Sequence, residues 1–389
     1  MKTVYLDNAA TTAVRPEALE SMLPLLRGDF ANPSSAHASG QRARNALDQA
    51  RLKTARALGA APKEIVFTGG GSEAVCLALF GIVEAHGVQR LITSAIEHHA
   101  VLHAADALRE RGVIVSVLPV NRDGFVEVGT LEQALDEGTS PPTLVSIMHA
   151  NNEIGTIQDV NALAKLAHAR GAFFHTDAVQ SVGHIELDVR ALGVDALSLS
   201  AHKFEGPKGV GALYVREGMR VTPRVYGGGQ ESGMRAGTEN VAGIAGLAVA
   251  LDLAVQELAS ERPRIEALRD RLIDGVLKSI PGAALNGSRE RRLPNNANLR
   301  FDRIEAHTLV LGLDVAGFEA STGSACTSGS LDPSHVLTAI GTSGPAARGA
   351  LRFSLGRQTQ PQDIDRLLDV LPGIISKLRA LSPVLTVAG

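Results

Sequence analysis

Short runs rich in Val, Ile, Leu and Phe, spaced by longer stretches that are often Ala-rich and helix-forming, constrain this chain more than any other feature. The runs are Glu64–Thr68, Arg90–Ser94, Val113–Pro119, Thr143–His149, Ala172–Asp177, Ala196–Ser200 and Gly211–Val215. Helical patterns lie between them, among them Asn45–Leu58, Ser72–Ala85 and Asn161–Ala169. Alternation of this kind predicts an α/β fold whose large domain holds a mostly parallel seven-stranded sheet. In open sheets of that class ligands sit beyond the carboxyl ends of the strands, so the residues just past each run are the ones to read for chemistry.

Near residue 260 the texture changes. Ile265, Leu268, Leu272, Ile273, Val276 and Leu277 share one helical face, and Pro281-Gly282 stop that helix. The expected division is a large domain over 14–255 and a smaller α+β domain over 256–389, with residues 1–13 joining the smaller one. A chain of 389 residues is long enough for two cores. Its formal charge of −3 gives no electrostatic reason to expect nucleic acid or an anionic membrane as partner. The apolar stretch Val241–Leu251 is ended by Asp252 and is too short to span a bilayer. Met1–Asn8 reads as folded, so no signal peptide is expected. Two cysteines, Cys76 and Cys326, make neither a disulfide framework nor a metal cluster. A cytoplasmic protein with reduced thiols is the expectation.

The strand ends carry the candidate chemistry. Thr68-Gly69-Gly70-Gly71-Ser72 leads into a helix, where glycines allow close approach and unpaired N–H groups bind phosphate. Taken alone, the run reads first as a plain tight strand-to-helix turn. Glu97-His98-His99 offers a histidine to stack or shuttle protons, although a solvated loop histidine fits as well. Asn151-Asn152-Glu153 alone reads as a turn. Asp177 ends the fifth run and Gln180 follows it. A carboxylate there is costly to bury without a partner such as a protonated pyridine nitrogen. Lys203 follows the sixth run beside Ser200 and His202, well placed to form a Schiff base. A phosphate cup, an Asp and a Lys at three strand ends are the requirements of pyridoxal 5'-phosphate. In the smaller domain Cys326 lies in Ser321–Ser330 among Ser, Thr and Gly, as a reactive thiol does. Cys76, in Val75-Cys76-Leu77-Ala78-Leu79-Phe80, reads as core packing.

At these residues the sequence resembles the cysteine desulfurases, fold-type I pyridoxal-phosphate enzymes of the class V aminotransferase-like group. The resemblance covers Tyr5–Thr12, Asn32–Ser35 with His37 and Gly40, Asn151–Gly155, His175–Ser181, Ser200–Lys203, Gly227–Glu231, Arg235–Thr238, the Cys326 loop and Arg352–Ser354. It implies Lys203 as the cofactor-binding lysine and Asp177 as partner of the pyridine nitrogen. His98 stacks on the ring, and Asn152 and Gln180 lie near its phenolic oxygen. Gly71, Ser72, Ser200 and His202 hold the phosphate, and Thr238 reaches the phosphate of a partner subunit, which implies a homodimer. Arg352 grips the substrate carboxylate. The implied reaction takes sulfur from L-cysteine to give L-alanine, with Lys203 or His98 moving the α-proton and Cys326 carrying a persulfide. The extended loop from Ser321 to Gly341 resembles that of the longer-loop group. That group hands sulfur to acceptor proteins such as an iron–sulfur scaffold, for iron–sulfur cluster assembly or thiolation. No resident metal is implied; Cys326 would share a cluster with a scaffold only transiently. The chain departs from the family at Ser72, where Thr is common, and at Val75-Cys76, where an Asn is usual. The competing readings are a selenocysteine lyase and a class V aminotransferase, the latter needing no nucleophilic Cys.

Overall fold

The computed structural model describes residues 3–137, 141–323 and 334–381. Among these, the strands are β1 (Val4–Tyr5), β2 (Ile65–Thr68), β3 (Arg90–Ser94), β4 (Ile114–Leu118), β5 (Thr143–Ser146) and β6 (Phe173–Asp177). They continue with β7 (Ala196–Ser200), β8 (Gly211–Val215), β9 (Ala283–Leu285), β10 (Asn296–Phe301), β11 (Phe318–Glu319) and β12 (Ala350–Ser354). Strands β2 to β8 form a seven-stranded sheet in the order β2-β8-β7-β6-β5-β3-β4. Its pairings from β4 through β7 are parallel, and β8 runs antiparallel to both β7 and β2. The cause is local. The chain returns from Ser200 to Gly211 without a crossover helix, and a short return gives an antiparallel pair.

Side chains alternate between the two faces of this sheet. Val145, Phe174, Leu197, Leu199 and Tyr214 pack into one apolar cluster, while Leu144, Ala196 and Leu213 pack into another. Both faces are covered, as parallel sheets require. Each such aliphatic or aromatic side chain taken fully from water contributes about 1.5–3 kcal/mol. The run expected to extend to His149 keeps regular pairing on both sides only to Ser146: Ile147 and His149 still donate to the carbonyls of His175 and Asp177 on β6, while the Met148 amide on the other side donates to the Glu97 carboxylate at 3.0 Å. The helix expected over Asn45–Leu58 begins earlier, at Ala38, where the ring of His37 accepts the Gly40 amide at 3.2 Å and caps it.

A second core is built on the antiparallel sheet β12-β10-β9. Phe301, Phe318 and Phe353 fill it together with Leu272, Leu371 and the N-terminal residues Val4 and Leu6. The helix Val241–Ser279 serves both cores: Ile244, Leu247 and Leu251 pack in the first, Ile265, Leu272 and Val276 in the second. By length and composition this helix could cross a bilayer, yet half of its apolar window is buried in the interior, Ile244, Leu247 and Leu251 among it. Along β12 the alternation sends Leu351 and Phe353 into the second core and leaves Arg352 on the opposite face, toward the large sheet.

Candidate active site

A cleft of about 390 Å³ opens at the carboxyl ends of the large sheet, within the range for small-ligand sites. Gly71, Ser72, His98, Asn152, Asp177, Gln180, Ser200, His202, Lys203 and Arg352 all line it. All but Arg352 come from the ends of the large sheet's strands or the turns that follow them, several strands contributing, whereas Arg352 comes from the middle of β12. Thr238 is exposed and does not line the cleft. Cys326 lies outside the described residues.

The strand β7 delivers Ser200, and the turn Ala201–Lys203 that follows delivers His202 and Lys203. Lys203 Nζ donates to the carbonyls of Ala9 and Ala10, each at 2.7 Å. The ammonium is thereby aimed across the cleft floor by the N-terminal segment. His184 holds the backbone of the same lysine, donating from Nε2 to its carbonyl at 2.9 Å. His202 is hydrogen-bonded through Nδ1 to the Thr11 hydroxyl at 3.1 Å, and burial holds it neutral, at about 4.

Asp177 ends β6 and is buried. Removal from water pushes its carboxyl up to about 6, against the opposing pull of the Val179 amide and the Lys203 charge. A carboxylate so placed is stabilised by a further cation, and a protonated ring nitrogen meets that need. His98 caps the helix His99–Glu110, its Nδ1 accepting the Ala100 amide at 3.1 Å. That bond leaves the proton of the neutral ring on Nε2. Burial first, and the Lys203 charge second, lower His98 to about 4, so the ring is uncharged at neutral pH.

The helix Gly71–His86 begins at the cleft, and its opening amides have no acceptor ahead of them in the ladder. A methyl group on Gly71 would stand 2.8 Å from Val179 Cγ2 and 3.3 Å from Ser200 Cβ. The backbone there is close enough to its neighbours to form a cradle that a side chain would fill. Unpaired amides at a helix start, the hydroxyls of Ser72 and Ser200, a buried carboxylate and a lysine form a donor set that fits pyridoxal phosphate. Beside the cradle, Glu73 ties Arg235 at 2.8 Å, which tethers the segment carrying Thr238 to the same helix start.

Arg352 reaches the cleft from the other sheet. Its Nη1 donates to the carbonyls of Asn152 at 2.8 Å and Gly323 at 3.4 Å, and its Nη2 to Asp7 Oδ1 at 2.8 Å. Gln180 donates from Nε2 to the Ala9 carbonyl at 3.0 Å. Behind His98, the fully buried Glu97 accepts from the Ser94 hydroxyl at 2.5 Å and from the Met148 amide. Desolvation raises its carboxyl to about 8. Sequence reading assigned no role to Asp7, Ala9, Ala10, Glu97 or Met148. Asp7, Ala9 and Ala10 belong to the motif Tyr5–Thr12, so the signal was present, but the carbonyls of Ala9 and Ala10 have no residue signature.

The aminotransferase class-V family model matches residues 4–367. The cysteine desulfurase IscS of Dictyoglomus turgidum is 50% identical over 384 residues, covering 98% of this chain and 97% of that protein. Among solved structures, a NifS-like protein superposes with a TM-score of 0.90 at 38% identity, over 96% of this chain and 100% of that one. SspA in complex with cysteine superposes with a TM-score of 0.79 at 37% identity, over 91% of this chain and 99% of that one. With its cleft residues in one place and likeness running along nearly its whole length, the chain belongs to the cysteine desulfurases of the aminotransferase class-V family, a family of pyridoxal-phosphate enzymes.

Proposed function

We propose that this cysteine desulfurase holds pyridoxal phosphate in the cleft, binds L-cysteine through Arg352 and moves its sulfur to Cys326 for delivery to acceptor proteins. The observation that carries the reading is the convergence of Lys203, Asp177, His98 and the Gly71 cradle on one cleft. Gly71, Ser72, Ser200 and His202 would hold the phosphate, Asp177 the ring nitrogen, His98 the ring face, and Asn152 and Gln180 the phenolic oxygen. Lys203 Nζ is the amine that would hold the cofactor covalently. Thr238, exposed and outside its own chain's cleft, would complete the phosphate site of a second copy, giving a homodimer.

When bound, the cofactor supplies an electron sink beside the substrate α-carbon. The chain's own groups do the rest. Arg352 orients the substrate carboxylate, and Lys203 Nζ moves the α-proton, with the neutral His98 ring and its Nε2 proton at hand. The Cys326 thiolate attacks the substrate sulfur, the bond from that sulfur to carbon breaks, and the carbon skeleton takes a proton and leaves as alanine. Sulfur then rests on Cys326 as a persulfide, open to an acceptor thiol. The longer-loop resemblance supports a protein acceptor such as an iron–sulfur scaffold, in the cytoplasm. The complex of SspA with cysteine supports L-cysteine as the ligand.

The test is direct. Protein purified with pyridoxal phosphate should convert L-cysteine to equal amounts of alanine and, with a reducing thiol present, sulfide. Keto acid formed without sulfide would point to transamination and overturn the reading. Light scattering should find a dimer, and a verified monomer with full turnover would remove Thr238 from the site.

A further inference from the structure

A guanidinium offers a carboxylate two forks of parallel donors, Nη1 with Nη2 end on and Nε with Nη2 side on. Nη2 belongs to both. In this chain Arg352 Nη2 is already engaged by Asp7 Oδ1 at 2.8 Å. Nη1 is shared by the carbonyls of Asn152 and Gly323. Nε is buried and has no hydrogen-bond partner among the described residues. Arg352 is 2% exposed, so its charge is met by Asp7 and by backbone dipoles instead of water. Asp7 itself is fixed from two sides. Its carbonyl accepts the Tyr5 hydroxyl at 3.0 Å, and its backbone bridges to Ser354 on the strand that carries Arg352.

We propose that Asp7 is a positioning residue that holds the Arg352 guanidinium when no substrate is bound, and that it competes with the substrate carboxylate for Nη2. The proposal rests on Arg352 being the group that receives that carboxylate. A second carboxylate arriving on either fork meets the Asp7 charge across a single nitrogen, in a buried setting where like charges are poorly screened. Binding therefore requires Asp7 to yield or to share, and the affinity for L-cysteine is set below what the bare guanidinium would give. Asp7 also keeps the arginine neutralised between turnovers, which answers the need of a buried cation for a partner.

The experiment is steady-state kinetics on the cofactor-loaded enzyme, with calorimetric titration of the product L-alanine as a readout apart from turnover. Asp7→Asn keeps an acceptor at the same reach but removes the charge. It should lower KM for L-cysteine by about three- to tenfold, with a smaller change in kcat, and tighten L-alanine binding in the same ratio. Asp7→Ser, an independent removal of the charge, should move both in the same direction, and Asp7→Glu, which restores it, should bring KM back toward wild type. An unchanged or raised KM in both charge-removing variants overturns the proposal. Arg352→Lys separates the underlying assignment. If it leaves KM and L-alanine affinity where they were, Arg352 is not the carboxylate ligand and the role of Asp7 falls with it. If Arg352→Lys weakens both while Asp7→Asn does not tighten them, Arg352 keeps its role and Asp7 alone is refuted.

Discussion

The functional groups on the large sheet stand at or just past the ends of strands, whereas Arg352 stands in the middle of β12, between Leu351 and Phe353, which fill the second core. The ends of parallel strands are natural places for chemistry, because the ladder stops there and the chain must turn. Asp177, Lys203, His98 and Gly71 are therefore brought together by topology, each fixed by its own strand or helix end. Arg352 has no such freedom. Its neighbours on either side are core residues, so its placement depends on the packing of the whole smaller sheet. The first region is tuned by desolvation, which raises Asp177 and lowers His98 and His202. The second is held by an ion pair to Asp7.

The largest expected effect lies in the first region. Lys203→Ala removes the amine meant to hold the cofactor and move the proton, and turnover should fall by about 10³-fold or more, with loss of the visible absorbance band. A variant that keeps both the band and activity would break the idea that the parallel rim carries the chemistry. Next comes Asp177→Asn, which removes the buried negative charge while keeping its size. Turnover should fall by about 10²-fold, with cofactor retention, read from absorbance after gel filtration, much less affected. Wild-type turnover would show that no cation needs that charge.

Phe353→Ala probes the second region through its core. The side chain is fully buried, and its loss should cost about 3–5 kcal/mol in chemical denaturation. Because Arg352 rides on the same strand, KM for L-cysteine should rise more than kcat falls. Equal losses in both would mean that the two regions are not separable.

The smallest effect expected is a pH dependence behind the rim. Glu97 has a folded value of about 8 against an ordinary 4.5, so the folded state binds its proton more tightly than the unfolded chain. Its contribution to stability is thus fully present below about 4.5 and is lost as pH rises through about 8. Glu97→Gln keeps the neutral form at all pH. It should match wild type near pH 4.5 and be more stable by of order 1–3 kcal/mol at pH 9, read as melting temperature against pH. A wild-type curve parallel to that of the variant would show Glu97 to be ionised without penalty.

Several features of this molecule follow from its sequence alone. Short β-branched runs alternating with helix-forming stretches dictate a mostly parallel sheet, since runs of that length and composition bury on both faces and need helices to cover them. The rim residues were legible for the same reason. Each is joined directly in sequence to the strand that positions it, as Lys203 is to β7 and Asp177 to β6. Cys326, read from its Ser, Thr and Gly neighbours as a reactive thiol, lies outside the described residues. Other features were decided only by tertiary structure. The carbonyls that aim Lys203 lie 194 and 193 positions away, at Ala9 and Ala10, and any residue there would offer the same oxygen. The carboxylate on Arg352 comes from 345 positions away. The Met148 amide that pins Glu97 has no residue signature either. Hydrogen bonds between distant backbone groups and side chains depend on distance and angle within an ångström or so. No local pattern encodes such geometry; it exists only once both cores have packed and brought the N-terminal segment across the cleft.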